Sequence, residues 1–115
     1  MSHGAYAAYT KTMASAGTLT GAFDLAKAWN NVYLVIPSMT SNTAICIQAS
    51  DSLTGTYRRL KQPVINTATS TILDFAISSA ATNCIVPIPT GLQYLKVEST
   101  TTVDNGAFFT VICGD

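Results

Sequence analysis

Histidine, cysteine and paired carboxylates carry most enzymatic chemistry, and in this chain they are few and scattered. The one histidine is His3. Nucleophilic catalysis needs a base held beside the nucleophile and oriented by a third group, and a residue at the extreme terminus is the least able to hold such geometry. Its expected state is a solvated or docked terminal side chain. Cys46, Cys84 and Cys113 form an odd, widely spaced set. They fit neither the disulfide framework of a small secreted domain nor the spacing of a zinc site. Three reduced, mostly buried thiols are expected, with one pair bridging in an oxidising medium as the alternative. Asp51, Asp74, Glu98 and Asp104 stand apart from one another, whereas calcium needs several oxygen ligands and glycoside hydrolysis two facing acids. The segment Gly17-Thr18-Leu19-Thr20-Gly21 lacks the spacing and the lysine of a phosphate-binding loop. No catalytic residue, metal ligand or cofactor is expected, and the chain reads as no enzyme.

Two features remain. Arg58-Arg59-Leu60-Lys61 is a short basic patch, which reads as the solvated edge of a strand, or a docking contact for an acidic neighbour, rather than a nucleic-acid site. The six basic and six acidic residues balance, so no long-range field draws nucleic acid or an anionic membrane. Trp29 is the single tryptophan. It is expected to plug one end of a core; a ligand platform is the alternative.

The elements that must position these residues follow from composition and periodicity. A length of 115 residues suits one domain. Charged residues make up 10% of the chain against about 25% in soluble domains; Ser, Thr and Ala take their place. A surface so poor in charge has little protection against self-association and makes most sense when much of it is covered in an assembly. No apolar run approaches the ~20 residues that span a bilayer. Residues 1–17 carry only Lys11 as a charge and no continuous apolar stretch, so they do not read as a signal peptide, and synthesis in a cytoplasm is expected.

From Thr18 onward short β-branched runs alternate with turn signals, the pattern of a sandwich or barrel. Strands are expected at Leu19–Phe23, Val32–Ile36, Ala44–Ser50, Thr56–Leu60, Thr71–Ile77, Asn83–Ile88, Tyr94–Thr100 and Phe108–Cys113. Turns are marked by Pro37-Ser38, Asp51 to Gly55, Pro89-Thr90-Gly91 and Asp104-Asn105-Gly106, residues that suit turn dihedrals. Helix is nearly absent, with at most one turn around Asp24–Trp29. Alternation of period two sets the faces: Ile45, Ile47 and Ala49 oppose Cys46 and Gln48; Leu73, Phe75 and Ile77 oppose Asp74; Leu95 and Val97 oppose Tyr94, Lys96 and Glu98. Val32, Leu34 and Ile36 oppose Tyr33 and Val35, so that strand is apolar on both faces, as is the last strand, Ala-Phe-Phe-Thr-Val-Ile-Cys. Two-sided strands in a small sandwich ask for a partner over the outer face. The expected fold is all-β, a single-domain antiparallel β-sandwich, jelly-roll-like, spanning residues 18–115, with residues 1–17 as an extended N-terminal arm.

The stretch Val32–Cys113 resembles small tailed-bacteriophage virion proteins with a jelly-roll or galactose-binding-like β-sandwich. The features that carry the resemblance are Leu34-Val35-Ile36-Pro37-Ser38-Met39, Ile45-Cys46-Ile47-Gln48-Ala49-Ser50-Asp51, the aromatic Tyr57, Leu92-Gln93-Tyr94-Leu95-Lys96-Val97-Glu98-Ser99 and Phe109-Thr110-Val111-Ile112. It implies a structural role on the capsid surface of a virion. With no stalk, repeat or coiled-coil shaft, the chain is closest to a head decoration or cement protein that binds the major capsid protein and itself, as a homodimer or homotrimer. A neck, tail-tip or fibre-base module is the alternative within the virion, and a carbohydrate-binding host-attachment protein the alternative outside that class; glycan binding is not expected, since fold does not imply function. Interface contacts are expected from Tyr6, Tyr9 and Met13 of the arm, from Tyr33, and from Arg58 and Arg59.

Overall fold

The computed structural model describes residues 6–14, 17–38, 44–65, 70–74, 76–77, 83–88, 92–100 and 107–115. For Tyr6 and residues 62–65 and 70–74 only the course of the backbone is described. Among the described residues there is no helix, and so none long and apolar enough to cross a membrane. The strands are β1 (Tyr6–Met13), β2 (Phe23–Asp24), β3 (Asn31–Ile36), β4 (Ile45–Ser50), β5 (Arg58–Arg59), β6 (Lys61–Ile65), β7 (Ser70–Asp74), β8 (Ala76–Ile77), β9 (Cys84–Pro87), β10 (Tyr94–Ser99) and β11 (Ala107–Gly114).

Every pairing is antiparallel. The first sheet has the order β1-β11-β3-β9; the second has the order β2-β10-β4-β5, with β8 also on β4. From β1 to β4 the chain changes sheet at every step, and it does so again from β8 to β11. Each sheet is thus assembled from strands distant in sequence, and the order is that of a jelly roll. The chain is an all-β, antiparallel β-sandwich. Its core is the set of inward positions that alternation predicts: Leu34, Ile36, Phe109 and Val111 from the first sheet against Ile45, Ile47, Leu95 and Val97 from the second, all essentially inaccessible. Trp29 is buried in this core and donates its indole N–H to the Leu25 carbonyl at 2.6 Å.

Four local departures from the sequence expectation have physical reasons. Residues 6–13, expected in an arm outside the sandwich, pair with β11 along their whole length as an edge strand, and Met13 is fully buried. An edge strand covers the core with one side only, so Ala7, Tyr9 and Met13 suffice, and no aliphatic cluster marks it. The expected strand Leu19–Phe23 is broken: Leu19 bridges Glu98, then Phe23 pairs with Leu95. The register slips by one residue between them, a bulge of the kind that occurs at sheet edges. The Thr20 hydroxyl compensates by accepting the Val97 N–H at 3.0 Å. The expected strand Thr71–Ile77 divides into β7 and β8, which pair with different partners; Phe75 lies outside the described residues. Finally, β6, with Pro63 at its centre, is a strand where none is expected. Among the described residues β6 pairs with β7 in a two-stranded ribbon, and a proline is accommodated at a strand edge. The expected turns at residues 89–91 and 104–106 and the terminal His3 lie outside the described residues.

Candidate functional site

Residues directly opposite in antiparallel strands share a face of the sheet, so the register decides what each outer face displays. On the first sheet, one row runs Ala8, Ile112, Tyr33, Pro87 and the next Thr10, Thr110, Val35, Ile85, with Thr12 beside Phe108 beyond them. Phe108 is 64% exposed, Ile85 61% and Tyr33 39%. The Thr10 and Thr110 hydroxyls join at 2.9 Å across β1 and β11. None of these outward positions is charged. The one charge on the four strands, Lys11, is in register with the buried Phe109 and therefore leaves by the inner side of the edge strand.

The outer face of the second sheet is of the opposite character. Asp24, Tyr94 and Ser50 form one row, Lys96, Gln48 and Arg59 the next, and Glu98, Cys46 and Ala76 a third. Arg59 grips Glu98 with two nitrogens, Nε to Oε1 at 2.9 Å and a terminal nitrogen to Oε2 at 2.6 Å, while the Gln48 amide donates to the same Oε1 at 2.9 Å. This bidentate geometry is the strong form of the pair. The Lys96 ammonium stands 4.4 Å from the centre of the Tyr57 ring. The Tyr57 hydroxyl donates to the Leu53 carbonyl at 2.9 Å. Partial burial raises the Tyr57 pKa, helped by Tyr94 and Asp24. Asp24 accepts the Gln93 amide at 2.8 Å and the Ala26 N–H at 3.0 Å, and the Gln93 bond, then the backbone bond, lower its pKa.

The cysteines are free thiols, Cys46 and Cys113 buried and Cys84 half-buried, and burial raises the pKa of Cys113. Among the described residues no three His, Cys, Asp or Glu side chains come together in a way that could hold a metal ion.

The residues singled out from sequence do not form one site. Met13 is inside the molecule's own core and is not available to a neighbour. Tyr9 is half-buried against that core, with its hydroxyl donating to the Leu25 carbonyl at 3.3 Å. The anchoring role expected of these two is therefore internal. The Tyr6 side chain lies outside the described residues. Tyr33 is on the uncharged face; Arg59 is on the opposite, polar face, held by Glu98; Arg58 is exposed at the edge of the second sheet, opposite Ala49. Phe108, Ile85 and Ile112 were not singled out. The signal for two of them was present in the two-sided last strand, but Ile85 joins them only through the register of β9 on β3.

No protein-family model and no curated protein matches this sequence. A solved structure similar to it is the crystal structure of Yersinia pseudotuberculosis-derived mitogen, with 12% identity and a TM-score of 0.42, covering 96% of this chain and 86% of that one. So distant a likeness says nothing about role; the fold described above rests on this chain's own strand order.

Proposed function

We propose that this chain is a structural virion protein of a tailed bacteriophage, a decoration or cement protein that sits on the major capsid lattice as a homo-oligomer. The observation that carries the reading is the outer face of the first sheet, where Phe108, Ile85 and Tyr33 stand exposed with no charge among their neighbours. Large apolar side chains left exposed together on an uncharged face are a common mark of an interaction site in soluble proteins. The mechanism is mechanical. A folded plate that buries apolar surface across subunit boundaries stabilises a shell by linkage, because it binds the assembled form only. The resemblance of residues 32–113 to small virion proteins supports the placement on a head.

Quantitative fractionation of phage particles tests this. The chain is expected with the heads, at a fixed high ratio to the major capsid protein, and heads lacking it are expected to lose their contents at a lower temperature. Recovery with tails or free in the lysate would overturn the head placement.

A second reading, carbohydrate-binding host attachment, has one observation in its favour. Tyr57, Tyr94, Lys96, Asp24 and Gln93 gather an aromatic surface, a cation, a carboxylate and an amide on one face. A glycan array separates the two: sugar binding abolished by Tyr94→Ala would favour attachment.

A further inference from the structure

The two sheets end in strands of very unequal length. On the second sheet the flanking strands β2, β5 and β8 have two residues each, and β5 is Arg58–Arg59, both exposed. On the first sheet β9 has four residues and ends on Pro87. Short strands, charges and proline all keep a sheet edge from pairing with another chain. The other edge, β1, is neither short nor broken by proline. It runs for eight residues, Tyr6–Met13, and among the described residues it pairs with β11 and with no other strand. Every second residue of such a strand aims its N–H and C=O away from its neighbour, a template for a further strand. The inner side of β1 presents Ala7, Tyr9, Lys11 and Met13, in register with Cys113, Val111, Phe109 and Ala107. Lys11 therefore stands in the core stripe, between a half-buried tyrosine and a fully buried methionine. Its stem leans toward the segment that enters β2, with Cδ 4.0 Å from the position a Cβ would take at Gly21. The residue is exposed and has no ion pair among the described residues.

We propose that Lys11 guards this edge: its inward charge prevents a second copy of the chain from adding its own β1 there. Identical edges pair antiparallel about a twofold axis, and an axis perpendicular to the sheet joins the two four-stranded sheets into one, inner sides together. Residues opposite each other share a side, so each Lys11 would face the inner row of the other copy, which holds no acid. The second sandwich would also close the flank through which the ammonium reaches water, and a charge enclosed without a counter-charge is strongly unfavourable. The outward residues of β1, Ala8, Thr10 and Thr12, are small and uncharged and offer no resistance to the same pairing. The chain has six basic residues in all, too few to hold copies apart by general repulsion. The one on the strands of the first sheet stands where its long edge needs it. This device is independent of the virion reading, and it confines self-association to surfaces other than the β1 edge.

The experiment compares the full-length wild type with K11V, K11T and K11E. Sedimentation equilibrium gives the mass, amide hydrogen exchange along β1 shows whether the edge is paired, and circular dichroism confirms that each variant is folded. K11V and K11T both remove the charge, the threonine serving if valine crowds the flank; K11E keeps a charge of the opposite sign. K11V and K11T are expected to associate at least ~10-fold more tightly than wild type, and the β1 amides that exchange freely in the wild type to become protected. K11E is expected to keep the wild-type mass and exchange pattern. Four results would overturn the proposal: uncharged variants with the wild-type mass, association without protection in β1, K11E associating as K11V does, or a wild type whose β1 amides are protected along the whole strand. The head fractionation that tests the virion reading is made on the wild type, so either result can fail without the other.

Discussion

Ala26 has φ 70, a left-handed conformation that costs an L-residue roughly 1–2 kcal/mol. The chain accepts it because the turn it makes is held from both sides: Asp24 accepts the Ala26 N–H, and the Trp29 indole returns to the Leu25 carbonyl. Ala26→Gly relieves the strain and adds back some unfolded-state entropy. The expected result is a melting temperature unchanged or raised, by up to about 1 kcal/mol in stability; a clear loss would mean that the alanine methyl has a packing role. Asp24 gives this turn a pH dependence. Its pKa is lowered in the fold, so the stability it adds is present above its ordinary value of 3.8 and is lost as pH falls through the lower, folded value. In thermal melts followed through that acid range, wild type is expected to lose more stability than Asp24→Asn. Parallel curves would assign the acid sensitivity to another group.

Among the elements, β1 changes most between sequence and structure. It forms the edge of the first sheet, and Met13 belongs to the same buried cluster as Phe23 and Phe109. Met13→Ala should therefore cost about 2–5 kcal/mol, and removing residues 2–13 should unfold the domain rather than only weaken its contacts. A deletion variant with a wild-type melt would return these residues to the role of an arm. Strand β10 provides the internal control. Leu95 is 1% exposed, while Lys96, its neighbour, lies on the outer face over Tyr57. Leu95→Ala is expected to cost about 2–5 kcal/mol and Lys96→Ala under ~1, an exposed cation–π contact. Equal shifts in chemical denaturation would contradict the facing of this strand.

At the scale of the molecule, the two outer faces predict different responses to salt. An interaction through Phe108, Ile85 and Tyr33 involves no charge, so self-association should hold or strengthen between about 50 mM and 1 M salt, a range over which exposed ionic contacts are screened. An interaction through Arg59, Glu98 and Lys96 should weaken over the same range. Sedimentation of the purified chain and co-sedimentation with heads, each measured across that range, tell which face serves which contact. Self-association abolished by salt would exclude the first sheet's outer face as its seat.

Much of this architecture was legible in the sequence because strand alternation is a local property. The inward sets Val32, Leu34 and Ile36, Ile45, Ile47 and Ala49, and Leu95 and Val97 can be read from a period of two alone, and the turn at residues 51–55 from its residue types, the Ser50 and Ser52 hydroxyls leaving little room for a side chain at Gly55. The two-sided character of β3 and β11 was legible for the same reason. Edge elements were not legible. Residues 6–13 carry half a core stripe, and only the presence of β11 beside them makes that half sufficient. Residues 61–65 contain a proline that argues against a strand, and only the pairing with β7 reveals one. Nor could the sequence bring Ile112, Tyr33 and Pro87 into one row, or place Tyr33 and Arg59 on opposite sides of the molecule. Those relations depend on register between strands far apart in the chain, which is set by burying both inner faces at once in a single core.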